Sequence, residues 1–216
     1  MKWTVDHHAL WFAICTRILM KRYGWEIAGV LSKEIVCAYG KRRGERMRDN
    51  AVKNDLEPSI NAFLITGELP LCQDQSVCCL FSKEDHTVSE VLKCPWHDVF
   101  MKYGYAREGA YYCHCIDQAL LEGFQASFHL FTEASMADGD GCCRFIWDQA
   151  YDRDMVEREK KKHDFTRPWS FHIKELMDLT ETVLNQRIPQ ESREVFACAE
   201  RAFAEECADL SGNYEV

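Results

Sequence analysis

The sequence predicts an α+β fold, a small antiparallel sheet flanked by helices, with long helices at the N-terminal and C-terminal ends. Three observations predict it. Apolar residues recur at helical spacing over 7–56 and again over 168–210. Between these stretches, short alternating runs are separated by turn residues, as strands are. The segment Ala137-Asp138-Gly139-Asp140-Gly141 lies between two such runs, and Asp-Gly supplies the positive φ angles that hairpins favour. At 216 residues the chain suits a single domain, 1–216, with a real core. It reads as N-terminal helices over 7–56, a central α+β core over 77–150 and C-terminal helices over 152–210.

Taken in order, residues 7–23 place Leu10, Trp11, Ile14, Ile18 and Leu19 on one helical face, with Gly24 as the stop. A second helix is expected from Trp25 to about Leu56, with Ile27, Val30, Leu31, Ile35 and Ala38 along its apolar side. Gly40 and Gly44 on that helix lie four apart and permit close approach of another backbone. Pro58 interrupts the pattern. Residues 60–66 fit a short helix or a buried strand, because periodicity does not separate the two over so short a run. Pro70 and the run Gln73 to Ser76 mark a loop. Val77 to Phe81 reads as a buried strand and His86 to Cys94 as a half-buried one.

Pro95 suits the first position of a helix, where its missing N–H costs nothing, and Gly104 ends that helix. Gly109 precedes a helix from Ala110 to Leu121, with Gly123 past its end. Ala126 to Glu133 alternates as a strand. Cys142 to Trp147 returns, with Cys143, Phe145 and Trp147 on one face. The charged run from Asp152 to Lys162 reads as a solvated helix or loop. Pro168 restarts a helix to about Asn185, and Pro189 opens the last one, to about Leu210, ended by Ser211-Gly212-Asn213. Its stripe of Val195, Ala199, Ala202, Phe203 and Leu210 suits core or a homodimer interface.

A net charge of -9 argues against a nucleic-acid partner. No apolar run approaches the roughly 20 residues of a membrane span, and the start, Met1 to His8, lacks a signal-peptide cleavage site. A cytoplasmic location is therefore expected, with the 12 cysteines reduced. They do not form paired C-x-x-C ribbons, and most read as small buried hydrophobes.

The chemistry-bearing stretch is 94–147, where Cys94, Cys113, Cys115, Cys142 and Cys143 fall among His114, Asp117, Asp138 and Asp140. Thiols, an imidazole and carboxylates do nucleophilic and proton-transfer chemistry. On a continuous helix Cys113 and Asp117 share a face. If that helix packs on the return strand, Cys113, Cys143 and Asp117 converge. The cluster Lys41, Arg42, Arg43, Arg46 and Arg48 is either a solvated face or the source of an arginine that turns inward to hold a carboxylate.

Y-G-x-x-x-G at 39–44, C-P-W at 94–96, Y-C-x-x-I-D-x-A-L-x-x-G-F at 112–124 and G-D-x-x-C-x-F at 139–145 occur in that order. This pattern, over roughly 25–150, resembles the L-2-amino-thiazoline-4-carboxylic acid hydrolase family. The resemblance puts the family's cysteines on Cys113 and Cys143 and its aspartate on Asp117; Cys115 and Cys142 look like extras. The chain departs at Gln125-Ala126, where the family tends to Asn-Pro, and residues after 150 carry no resemblance. It implies hydrolytic opening of a small carboxylated cyclic isothiourea. Cys143 or Cys113 would be the nucleophile, with Asp117 and His114 handling protons. Arg43 or Arg46, with Cys94, Trp96 and Asp140, would bind the small-molecule carboxylate. No cofactor is expected. Two alternatives stay open: a cysteine-dependent biosynthetic enzyme that forms or rearranges a heterocycle or transfers an acyl group, and a metal-binding protein drawing on the Cys113, His114, Asp117 and Cys143 cluster, all ligands by type, of which Cys113 and Asp117 have the one-helix spacing and His114 does not.

Overall fold

The structure, a computed structural model, describes residues 2–71 and 74–208. The fold is α+β. Helix α1 (Val5–Lys53) is followed by α2 (Ile60–Ile65), strands β1 (Val77–Ser82) and β2 (Thr87–Lys93), and helices α3 (Pro95–Lys102), α4 (Ala106–Cys113) and α5 (Ile116–Phe124). Then come β3 (Leu130–Ala134), a 3-10 turn at Met136–Asp138, β4 (Cys143–Trp147), α6 (Arg153–Lys160), α7 (Trp169–Arg187) and α8 (Ser192–Ala208). All strand pairs are antiparallel, in the order β1-β2-β4-β3. No helix among the described residues is long and apolar enough to cross a membrane.

Two compact units emerge. The first holds α1 up to Val36, Pro95–Tyr112, and the chain from Pro168 on. Gly24, with φ 78, breaks α1 into two helical pieces, as its place after the first apolar stripe implies. Trp11, Phe12, Phe100, Ile173 and Leu176 are fully buried here. Two indoles in this core are paired: that of Trp11 donates to Thr180 Oγ1 at 3.3 Å, and that of Trp96 to His8 Nδ1 at 3.1 Å. Gly109 lies inside α4, not before a helix, and a Cβ there would stand 2.7 Å from Phe100 Cε2.

The second unit comprises Cys37–Cys94 and Cys113–Arg167. Its centre is a crossing of α1 and α5 without intervening side chains. A Cβ on Gly40 would lie 2.7 Å from Ala119 Cβ, and one on Gly44 2.6 Å from the Phe124 nitrogen. Gly123 repays the approach from the other side, 2.8 Å from Lys41 Cα. It therefore sits inside α5, where the sequence placed it beyond a helix end. Around the crossing pack Met47, Phe63, Leu120, Leu121, Phe124 and Phe128, with Trp147 against them. The inner sheet face carries Thr87 and Ser89, both buried, and the Trp147 indole donates to Ser89 Oγ at 2.8 Å.

Several boundaries differ from the sequence reading. The helix expected to reach Leu56 ends at Lys53, followed by a turn through Asp55 with φ 56. Residues 60–65 are helical, capped by the Ser59 hydroxyl, which accepts from the Ala62 N–H. β1 is an exposed edge strand rather than a buried one, since among the described residues only β2 pairs with it. The helix expected over Ala110–Leu121 is two helices with a turn at 114–115. β3 begins at Leu130, and the last helix at Ser192. Leu210, the stop at 211–213 and the loop start at Gln73 lie outside the described residues.

Candidate active site

Cys113 closes α4, and Asp117 sits in the first turn of α5. The turn between them removes the common helix face, yet it keeps the thiol and the carboxyl within electrostatic reach. Burial pushes the Cys113 thiol well above its usual range, and Cys94, Asp117 and Cys143 push the same way. Cys94 follows the end of β2, so its place beside Cys113 is set by the sheet.

Cys143 opens β4. The 3-10 turn before it aims the Met136 N–H at its sulfur, 3.4 Å away, and the Ser135 hydroxyl also hydrogen-bonds it. Burial raises this thiol too, but those two donors pull against the rise. Of the pair, Cys143 thus has the better-supported thiolate. Asp140 shapes the same loop by accepting from the Ser135 N–H at 2.9 Å. The strand register sets Cys78, Val91 and Cys143 in one row across β1, β2 and β4. Asp117 acts on the thiols at both ends of that row.

The Asp117 carboxyl is raised to about 6 by burial, and the Arg43 guanidinium pulls the other way. A helix N-terminus also favours a carboxylate; burial outweighs it. A carboxyl titrating near 6 is able to exchange protons at neutral pH. Arg43 itself is only 4% exposed. Its Nε is buried and, among the described residues, hydrogen-bonds nothing. Glu68 Oε2 stands 3.9 Å from it and the Tyr39 ring 5.4 Å from its Cζ. A buried guanidinium nitrogen without a hydrogen bond is costly unless an acceptor reaches it, and a carboxylate is the acceptor that suits it.

Arg43, Cys94, Cys113, Asp117 and Cys143 are thus gathered in the second unit. The other candidates have different engagements. Arg46 is held by Glu68 through two hydrogen bonds, at 2.6 and 2.8 Å. His114 is exposed and faces Asp138 at 2.9 Å. Trp96 belongs to the first unit, with its indole on His8 and its ring stacked on Tyr112. Among the described residues no three His, Cys, Asp or Glu side chains are grouped to hold a metal ion. Two residues escaped the sequence reading. Cys78 sat on a run read only as strand, and Glu68 lay in an unpatterned loop; the one signal for Cys78 is its register with Cys143.

No curated protein and no solved structure matches the chain. The family model described as L-2-amino-thiazoline-4-carboxylic acid hydrolase matches residues 5–147, which takes in all of α1 as well as the four motifs. The chain therefore belongs to the L-2-amino-thiazoline-4-carboxylic acid hydrolase family.

Proposed function

We propose that the protein hydrolyses a small cyclic isothiourea bearing a carboxylate, of the 2-aminothiazoline-4-carboxylate type. The observation that carries this is the grouping of two thiols and a carboxyl titrating near 6 with a buried arginine whose Nε hydrogen-bonds nothing among the described residues. The arginine matches the substrate carboxylate. The thiols and the carboxyl match the electrophilic ring carbon between nitrogen and sulfur.

Asp117 takes the Cys143 proton and the sulfur adds to that carbon. The ring carbon–sulfur bond breaks, and the ring sulfur leaves with the proton from Asp117. Water then adds to the same carbon, giving a proton to Asp117. The bond to Cys143 breaks, the proton returns to its thiolate, and an N-carbamoyl cysteine departs. The net change is addition of one water. The Met136 N–H stabilises the thiolate twice, before attack and on departure. Cys113, the harder thiol to ionise, stays neutral beside it.

Cys143→Ala, Cys113→Ala and Asp117→Asn each test the reading with this substrate. The Cys143 and Asp117 variants are each expected to lower turnover at least about a hundredfold, and the Cys113 variant, which removes neither the nucleophile nor the proton carrier, by much less. Undiminished turnover in all three removes the mechanism, and no turnover by the unaltered protein removes the substrate.

A further inference from the structure

Glu68 is a charged side chain with no exposed surface, on a loop that follows α2. Its two oxygens accept from Arg46 Nε at 2.6 Å and Nη2 at 2.8 Å, a forked pair on a side chain 18% exposed. The loop is also tied through its backbone, since the Glu68 carbonyl accepts from the Arg167 N–H at 2.8 Å. The oxygen nearer to Arg43 stands 3.9 Å from Arg43 Nε. That is ion-pair range but beyond a hydrogen bond. Glu68 therefore attracts the Arg43 guanidinium without hydrogen-bonding its Nε.

We infer that Glu68 is a positioning residue: clasped by Arg46, its carboxylate fixes the Arg43 guanidinium beside Asp117 and leaves the Arg43 Nε unpaired for a substrate carboxylate. The inference rests on the hydrolase reading and deepens it by naming what sets carboxylate specificity. Arg43 and Arg46 are one helical turn apart on α1, so without Glu68 two like charges face each other in a buried setting. Arg43 is held by Glu68 at 3.9 Å and also feels the Asp117 carboxyl. An incoming carboxylate then meets a guanidinium already ordered, and little of its binding is spent on arranging it. A residue that only stabilised the fold would affect all substrates alike. One that aims Arg43 affects those with a carboxylate.

The test compares 2-aminothiazoline-4-carboxylate with its 4-carboxamide, using kcat/KM for unaltered protein, Glu68→Gln and Glu68→Asp. The expected result is a preference for the carboxylate in the unaltered protein that falls at least about tenfold in Glu68→Gln. The fall comes from KM for the acid, with the amide little changed. Glu68→Asp keeps the charge but draws it back from Arg43, and should lose an intermediate share. It carries the test alone if the Gln variant does not fold. Equal losses on acid and amide overturn the inference and leave the hydrolase reading standing. Absence of turnover of either compound by the unaltered protein overturns that reading, and this inference with it.

Discussion

Replacing Asp117 with Asn should make the protein more stable at neutral pH. A carboxyl raised to about 6 in the folded chain titrates near 3.9 when unfolded, by the usual model-peptide value of about 3.9. Because the folded value is the higher one, the folded state binds the proton more tightly. The protonated carboxyl favours folding at low pH, and that advantage is lost as pH rises from about 4 to about 6. The gap corresponds to about 3 kcal/mol at most. Asp117 keeps some contact with solvent, which screens part of it, so about 1–3 kcal/mol is the working range. For a chain of this length each kcal/mol moves the melting temperature by about 2–4 °C. Thermal melts of unaltered protein and Asp117→Asn between pH 4 and pH 8, roughly the window set by those two values, read it directly. The Asn variant should melt higher at the neutral end, with the difference closing as pH approaches about 4. A variant less stable at neutral pH, or a difference that ignores pH, refutes the reasoning. Retention of so costly a carboxylate is what a working acid–base group looks like.

Other outcomes follow from the same geometry. The rate should rise with pH through about 6 as Asp117 becomes the base form, and a pH profile of kcat/KM in Asp117→Asn should lack that limb. Gly44→Ala drives a Cβ to 2.6 Å from the Phe124 nitrogen and closer still to the Leu120 carbonyl oxygen. Urea melts should show a loss of about 1–3 kcal/mol or more, since neither backbone group is able to yield easily. Alkylation by iodoacetamide at neutral pH should reach Cys143 faster than Cys113, because only Cys143 has the Met136 N–H and Ser135 hydroxyl behind its thiolate. Peptide mapping of a time course checks the order.

Much of the fold was legible because its signals are local. The Gly24 break, the Pro95 helix start, the Asp-Gly hairpin and the Gly40/Gly44 crossing each rest on one or two residues whose conformational needs are plain. The turn at 114–115 was not legible, since no Gly or Pro marks it. Gly109 must lie flat on Phe100 while Gly123 must lie flat on the α1 backbone at Lys41. Those demands fall in different units, and the chain passes from one unit to the other at Tyr112 and Cys113. For the candidate site, motif order singles out Cys113, Cys143 and Asp117, and the basic run offers Arg43 and Arg46 without separating them. Which of the two is the more deeply buried was not readable, because the carboxylate that engages Arg46, Glu68, lies on a loop with no sequence pattern. His114 was misleading for a physical reason: beside Cys113 in sequence, it turns outward to Asp138.

The proposed reaction adds one water across the ring carbon–sulfur bond through Cys143 and Asp117, and mass spectrometry of 2-aminothiazoline-4-carboxylate incubated with the protein reads that addition. The expected product is one water heavier with a new free thiol, formed by the unaltered protein and nearly absent with Cys143→Ala or Asp117→Asn. An unchanged ring after incubation with folded protein contradicts it, as does a product formed equally well by both variants.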